Sequence, residues 1–153
     1  QPITRAEFAV FIVRGLGLAG SRSDASHFRD IAPNSELASY IGAAYKADII
    51  SGVSRDRFDP DSPITREQMA SMMVRAARAM GVEILTSRSQ SEYLKPYQDA
   101  GSLASWARND MVKAIEAQII KGMSATKLGP KQNATRAQAA VMIKRLLEYL
   151  NMM

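Results

Sequence analysis

The chain has 153 residues, 46% of them hydrophobic and 23% charged, which suits one compact domain with a real core and excludes two large independent domains. It contains no cysteine, which excludes disulfides, thiolate catalysis and cysteine-ligated zinc. The formal net charge of +5 favours a polyanionic partner, but charge alone does not choose between nucleic acid, an anionic membrane and an acidic polysaccharide.

The first predicted element is a helix at roughly residues 4–17, which begins with the phrase ITRAEF. Its apolar residues recur at the i, i+3, i+4, i+8 spacing of a helix that buries one face. The phrase returns as ITREQM at 64–69 and as ATRAQA at 134–139, which predicts two equivalent helices. The three apolar stripes are Phe8, Phe11, Ile12 and Leu16; Met69, Met72, Met73 and Ala77; and Ala139, Met142, Ile143 and Leu147.

A second pattern lies between these helices and occurs twice. It opens with FRD at 28–30 or YQD at 97–99 and continues as a short amphipathic helix. It then passes through IISG at 49–52 or IIKG at 119–122 into a proline-containing loop. Each complete unit is therefore a short helix, a glycine, a loop and a longer helix.

Two polar stretches, 17–26 and 86–92, separate the units, and their small and charged residues are expected not to pack a core. The chain then divides into the second half of a first repeat (1–20), a second repeat (28–82) and a third repeat (97–151). A lone helix pair buries little surface, so the long helices should pack together. We predict an all-α, mainly helical, pseudo-threefold domain with a central three-helix bundle and at most brief extended contacts at the paired isoleucines.

The chain shows no sign of a membrane or export segment. No apolar run approaches the about 20 residues of a membrane span, and Gln1 does not open a signal peptide. Because the chain begins inside a repeat, we expect upstream sequence to have been removed by processing or cloning.

Most of the repeated phrase is explained by helix initiation. Threonine followed three residues later by Glu or Gln predicts a capping box, worth about 1 kcal/mol. The preceding apolar residue predicts a hydrophobic staple, such as Ile3 with Phe8. The three capping pairs are Thr4 with Glu7, Thr65 with Gln68, and Thr135 with Gln138.

The arginine of the phrase is not explained by helix initiation. Arg5, Arg66 and Arg136 occupy the first position of their helices, where the helix dipole disfavours a cation by about 0.3–1 kcal/mol. One interpretation is anion binding, in which each guanidinium and the free helix amides clamp a carboxylate or phosphate. The other is an indifferent copied residue, or an ion pair with a nearby acid such as Asp61 or Asp30.

Taken together, these segments resemble the S-layer homology family, whose repeats run from an aromatic-x-Asp opening to a Thr-Arg-Ala-Glu helix. The resemblance covers nearly the whole chain and is carried by FRD, IISG, RFDPDSPITREQM, YQD, SWARNDMVKAIEAQIIKG and NATRAQAAVMIKRLL. It implies a pseudo-threefold helical module at the bacterial surface, in the cell wall or S-layer. Such modules anchor S-layer proteins or extracellular enzymes.

The resemblance also implies a ligand. Family members bind secondary cell-wall polysaccharide non-covalently, often through a ketal-linked pyruvate, with peptidoglycan itself as a further partner to test. We expect no catalysis, no cofactor, no metal and no nucleic-acid partner. We leave the oligomeric state open.

In that family the grooves lie between neighbouring repeats, and the arginine of the motif contacts the glycan. Carried onto this chain, Arg5 faces a groove completed by Asp30 and by the backbone at Ser51 and Gly52. The family often places a tryptophan at the start of the short helix, whereas this repeat has Glu36 there. On that account the Arg5 groove lacks an aromatic platform.

The same transfer places Arg66 with Asp99, Trp106 and Gly122 of the third repeat. Trp106 matches the tryptophan of the family and would stack on a sugar ring. Arg136 lacks a front half to partner it, so its site is incomplete. Arg66 is therefore the copy with the best-supplied neighbours.

Each of these residues also has a structural interpretation. Trp106 could be a core residue at the start of an apolar helix face. Asp30 and Asp99 could cap the turn into the short helix. Gly52 and Gly122 are expected to stop the short helices with positive φ.

Apart from catalysis, three other functions are alternatives to glycan binding. A calcium loop at 56–67 fails because Phe58 and Pro60 fall at ligand positions, and the single histidine, His27, has no catalytic companion. Nucleic-acid or other polyanion binding suits the charge, but the cations are dispersed among 15 acids. A protein-interaction or spacer module without glycan binding is the third alternative.

Overall fold

The computed structural model describes residues 1–152, and within them six α-helices are joined by loops and two short 3₁₀ helices. The α-helices are α1 (Arg5–Leu16), α2 (Glu36–Lys46), α3 (Arg66–Ala79), α4 (Gln90–Leu94), α5 (Ser105–Glu116) and α6 (Arg136–Tyr149). The 3₁₀ helices span Arg22–His27 and Ala100–Ser102. The predicted all-α fold is confirmed.

The three long helices α1, α3 and α6 begin with the same reciprocal hydrogen bonds. In α1 the Thr4 hydroxyl accepts the Glu7 N–H at 3.1 Å, and the Glu7 carboxylate accepts the Thr4 N–H at 3.0 Å. Two donors that a helix start leaves unpaired are thereby satisfied. The equivalent capping boxes are Thr65 with Gln68 and Thr135 with Gln138.

A closed ring of main-chain hydrogen bonds joins the segments that precede these helices. The Ile3 N–H donates to Ala134 O at 3.0 Å, the Ala134 N–H donates to Ile64 O at 2.9 Å, and the Ile64 N–H donates to Ile3 O at 3.0 Å. The helices α1, α3 and α6 each contact the other two. This arrangement confirms the pseudo-threefold central bundle, and the brief extended contacts lie in this ring rather than at the paired isoleucines.

Each short helix packs on the long helix of the preceding repeat, α2 on α1 and α5 on α3. Asp48 (φ 63°) and Gln118 (φ 59°) adopt the left-handed conformation just after α2 and α5 and end these helices. The prediction that Gly52 and Gly122 stop the short helices is therefore wrong. Left-handed residues that are not glycine end both helices several positions earlier.

Gly52 and Gly122 serve close packing instead. A Cβ on Gly52 would lie 2.7 Å from a ring carbon of Phe28, and a Cβ on Gly122 would lie 2.6 Å from a ring carbon of Tyr97. Of these two glycines, only Gly52 has a positive φ, of 90°. The aromatic residue that opens each repeat therefore packs directly against the glycine backbone of the later loop.

The first polar linker contributes to the core, contrary to the prediction, whereas residues 86–92 of the second are exposed, as predicted. The 3₁₀ helix Arg22–His27 packs on α2 and buries Ala25. Gly42 permits this approach, because a Cβ there would lie 1.6 Å from Ser21 O. The second linker leads into α4, which buries Tyr93 and Leu94 and contacts α5. Small residues here allow the backbone itself to come close, which a count of apolar residues misses.

Most residues of the apolar stripes of the long helices are buried, and three are half-buried. The predicted stripe of α3 is fully buried, and that of α1 is buried except for the half-buried Phe11. In α6, Leu146 is buried while Ile143 and Leu147 are half-buried near Gly15 of α1. The prediction for α6 was therefore partly wrong, since α6 packs by a slightly rotated face.

Candidate functional site

Arg5 reaches from the start of α1 to the loop of the second repeat. Its Nε donates to Phe58 O at 2.9 Å, and its guanidinium lies 4.7 Å from the centre of the Phe58 ring. Burial lowers the pKa of Arg5, and the nearby Asp59 and Asp30 oppose that effect. A guanidinium remains charged in proteins, so Arg5 is a cation that is only 7% exposed.

The Nη atoms of Arg5 remain available. Within residues 1–152, the only side-chain hydrogen bond of Arg5 is the one from Nε. No buried side-chain nitrogen or oxygen among these residues lacks a partner. The Nη atoms are therefore reached by solvent, and they are the donors that a ligand would meet.

Asp30 holds the loop that receives Arg5. Its two carboxylate oxygens accept the Phe58 N–H at 2.9 Å and the Asp59 N–H at 2.8 Å. Burial raises the pKa of Asp30, but these amide hydrogen bonds outweigh it and leave the pKa lowered. The carboxylate thus orients the Phe58 carbonyl toward Arg5, instead of capping the turn into the short helix as one prediction had it.

Asp99 does the same in the third repeat, accepting the Leu128 N–H at 2.8 Å and the Gly129 N–H at 2.9 Å. Burial raises its pKa, and the amide hydrogen bonds again leave it lowered. Arg66 donates from Nε to Leu128 O at 2.9 Å and from Nη2 to Lys121 O at 2.6 Å, and it is 2% exposed. The Nε of both arginines is bonded to a carbonyl, and Arg66 uses in addition an Nη donor that Arg5 keeps available.

These contacts give Arg5 and Arg66 a role in folding that helix initiation did not predict. Arg5 and Arg66 each join the start of the long helix of one repeat to the loop of the next. The helix amides are also paired, since the Arg5 N–H donates to Ser62 O at 2.9 Å and the Ala6 N–H donates to Pro60 O at 3.0 Å. The expectation of free amides for an anion is wrong for α1, and the guanidinium remains as the anion-binding group.

A groove with a cavity of about 430 Å³ opens beside Arg5. Its walls are the loop Ile49–Val53, one face of α3 and the indole of Trp106. Trp106 is 57% exposed, so it is not a core residue. The prediction that Trp106 stands with Arg66 is wrong, because Trp106 lines the groove of Arg5. The third repeat therefore supplies the aromatic ring that the second repeat lacks.

The α3 wall of this groove was missed in the sequence. It consists of Gln68, which was predicted only as a cap, with Ser71, Met72 and Arg75. Their i, i+3, i+4, i+7 spacing places them on one helix face, which is a readable signal. Arg75 adds a second guanidinium to the groove. Ser51 and Gly52 lie in the opposite wall, as the resemblance implied.

Arg136 has a different environment. Its side chain is 51% exposed and makes an ion pair with the Glu7 carboxylate. A hydrogen bond from the Thr4 amide lowers the pKa of Glu7 most, partial burial raises it, and Arg136 lowers it further. Glu7 also lines an open depression of about 440 Å³ with Val10, Phe11, Leu37 and others. Arg136 therefore fits the second interpretation of these arginines, an ion pair with a nearby acid.

The fold and the groove define a class of protein: a helical repeat module whose repeats share one core and enclose a surface groove between them. Within residues 1–152, no helix combines the length and the hydropathy needed to cross a membrane. The family model of the S-layer homology domain matches residues 27–70 and 96–140, together more than half of the chain. The chain belongs to the S-layer homology domain family.

Relatives share this region over almost all of the chain. The endoglucanase of Bacillus sp. (strain KSM-635) is 37% identical over 95% of this chain and 15% of its own length. The amylopullulanase of Thermoanaerobacterium thermosulfurigenes is 36% identical over 97% of the chain and 8% of its own length. The surface-layer 125 kDa protein of Lysinibacillus sphaericus is 29% identical over 97% of the chain and 12% of its own length.

The chain thus spans less than a fifth of the length of each of these relatives. The shared region is a non-catalytic, cell-surface anchoring module that acts outside the cell, at the cell surface or wall. The two matched segments fall within or next to the predicted second (28–82) and third (97–151) repeats and leave the last residues of each outside the match.

Proposed function

We propose that this module binds an anionic, pyruvylated secondary cell-wall polysaccharide in the groove beside Arg5. The observation that supports the proposal best is the meeting of an available guanidinium and an exposed indole in one groove of about 430 Å³. That volume falls in the range of small-ligand sites, about 300–1,000 Å³. We also propose the division into a partial first repeat and two complete repeats at the boundaries given above.

The chemistry of the groove fits an acidic sugar. A ketal-linked pyruvate carries a carboxylate, which is the planar anion that the Arg5 guanidinium binds best. The weakly polar face of a sugar ring would lie on Trp106, since the ring presents an apolar surface to the C–H groups. Polar groups at Ser51 and Gln68 are placed to contact hydroxyls. Arg75 offers a second contact for negative charge.

The three arginines are proposed to differ in affinity. The Arg66 groove repeats the frame of the first, with Asp99 holding its loop and Gly122 packed against Tyr97. Two donors of Arg66 are already bonded to carbonyls, so this groove should bind more weakly. Arg136 should bind least, because the Glu7 carboxylate occupies its guanidinium.

Attachment to the cell wall is the role that this binding would serve. Some relatives carry the names of polysaccharide-degrading enzymes and others those of surface-layer proteins, and the shared region is a small part of each. We propose that the chain attaches a longer polypeptide to the cell wall, whatever the activity of the remainder.

The test is sedimentation of the protein with purified bacterial sacculi, before and after hydrofluoric acid removes the secondary polymer. We expect binding to untreated sacculi and its loss after the treatment. Equal binding to stripped sacculi would identify peptidoglycan as the ligand, and binding to neither would contradict anchoring. A parallel assay with DNA at physiological salt tests the rival polyanion, whose binding would persist there only if nucleic acid were the ligand.

A further inference from the structure

A buried acid stands beside the groove without a counterpart in the other long helices. Glu67 is the second residue of α3 and is 3% exposed. The equivalent residues of α1 and α6 are Ala6 and Ala137. A helix of this fold therefore starts and packs without an acid at this position. Burying a carboxylate is costly unless it is paired, so its partners indicate what it does.

The Glu67 carboxylate contacts two separate parts of the third repeat. Oε1 accepts the Ala104 N–H at 3.1 Å, and Oε2 binds Lys131 Nζ at 2.7 Å. The backbone of Glu67 adds a third contact, since its N–H donates to Pro130 O at 3.0 Å. One residue thus ties the start of α3 to the start of α5 and to the loop after it.

The start of α5 lacks a cap of its own. Ala104, the N-cap residue of α5, has no side chain that can accept a helix amide. In the equivalent helix α2, the Ser35 side chain accepts the Ala38 N–H. Glu67 accepts the N–H of Ala104 itself, which is the role of the N3 side chain in a capping box, and its negative charge suits the positive end of the α5 dipole.

Trp106 is the second residue of α5, so whatever fixes Ala104 also fixes the base of the indole. A second contact lies one turn further along, where the Ser71 hydroxyl donates to the Asp110 carboxylate. We propose that Glu67 is a positioning residue that holds the Trp106 indole against the Arg5 groove. The proposal rests on the proposed function for its consequence in binding, but not for the positioning itself.

Trp106 is the only tryptophan of the chain, so its fluorescence reports this position directly in the ligand-free protein. We expect Glu67→Ala to raise the amplitude of the fast anisotropy decay of Trp106 roughly twofold. Exchange of the Ala104 amide hydrogen should accelerate about tenfold, because its acceptor is lost. Glu67→Gln keeps an oxygen for the Ala104 N–H and should restore most of the order.

The matched control is Glu83→Ala. Glu83 also contacts α5, through Lys113 Nζ at 3.3 Å, but at the opposite end of that helix and on an exposed surface. This control should leave Trp106 unchanged. Wild-type anisotropy in a folded Glu67→Ala protein would overturn the proposal, as would an equal change in the control. If Glu67→Ala does not fold, the exchange rate of the Ala104 amide hydrogen is measured in the wild-type protein. An exchange rate faster than that of the neighbouring amides of α5 would then overturn the proposal.

Titration with a disaccharide bearing a ketal-linked pyruvate separates this proposal from the proposed function. We expect Trp106→Ala to weaken binding about tenfold and Glu67→Ala to weaken it by a smaller factor, with Glu67→Gln close to wild type. If Trp106 is disordered in Glu67→Ala but the wild-type protein does not bind the disaccharide, only the proposed function is refuted. Ordered Trp106 in Glu67→Ala with normal wild-type binding would refute the positioning role alone.

Discussion

Arg5 and Arg136 occupy the same position in two equivalent helices, directly after the capping threonine, yet their guanidinium groups have different surroundings. Arg5 is buried, is bonded to the Phe58 carbonyl and lines a groove, whereas Arg136 is half exposed and paired with Glu7. A carbonyl orients a guanidinium without neutralising it, and a carboxylate does neutralise it. The loop of the next repeat therefore decides whether an arginine of this motif can receive an anion.

The residue two positions after the arginine also differs in charge between α1 and α3. Glu7 and Gln68 close their capping boxes equally well. In the groove, however, Gln68 is neutral, while Glu7 carries the charge that binds Arg136. Helix initiation tolerates either residue, so the difference bears on ligand binding and not on folding.

The largest expected effect distinguishes the two arginines. Arg5→Ala should weaken binding of a pyruvylated disaccharide about 100-fold, because a charge-assisted bidentate contact is lost. Arg136→Ala should stay within about twofold, since its ion pair is exposed. Isothermal titration of variants whose circular dichroism is native measures both. Equal losses in the two variants would abolish the distinction drawn between the two sites.

The next largest effect is on stability and concerns the loop whose Phe58 carbonyl accepts a hydrogen bond from Arg5. Asp30→Asn should lower the free energy of unfolding at pH 7 by about 1–2 kcal/mol, because a charged acceptor of two amides becomes neutral. The folded-state pKa of Asp30 is lowered, so its contribution is present above the unfolded pKa and disappears as pH falls through the folded value.

Urea unfolding from pH 7 to pH 2 therefore should show a steep loss of stability below about pH 4 in the wild type and a shallower one in Asp30→Asn. The control is Asp56→Asn, which removes an acid of the same loop that forms an exposed pair with Arg29. Parallel pH profiles for wild type and Asp30→Asn would remove Asp30 from the support of the Arg5 groove.

The smallest effects come from exchanging the capping residues of the two sites. Gln68→Glu places a carboxylate in the Arg5 groove and should weaken disaccharide binding about tenfold, whereas Gln138→Glu in α6 should not. Glu7→Gln should alter the unfolding free energy by less than about 1 kcal/mol and leave binding within twofold, since it removes an exposed pair. Tight binding by Gln68→Glu would refute the argument from charge.

Much of the fold was readable from the sequence because repetition and helical period are local signals. The three capping boxes and the buried face of α3 follow from spacing alone. The ends of α2 and α5 were not readable, because Asp48 and Gln118 replace the glycine that usually takes a left-handed conformation. The packing of the first linker on α2 was not predicted either, because it depends on the missing side chain of Gly42.

The candidate site was harder to predict because it is assembled across repeats. The resemblance pairs each arginine with the next repeat along the chain, and it therefore placed Trp106 with Arg66. The closed arrangement instead brings Trp106 of α5 to Arg5 of α1, with α3 and the loop Ile49–Val53 in the same groove. The contacts of Arg5 and Arg66 with loop carbonyls were likewise invisible, because backbone atoms carry no sequence signature.

The ring formed by Ile3, Ile64 and Ala134 also bears on how the chain folds. In a linear array of repeats, removing a terminal unit leaves the others intact, because each touches only its neighbours. Here the first turn of the chain is bonded to a residue near the start of the last helix, so the closing contact has nearly the longest sequence separation available. The ring cannot close until residue 134 has been synthesised. The stability of each segment therefore depends on all three segments of the ring, and a partial chain without residue 134 lacks this stabilisation.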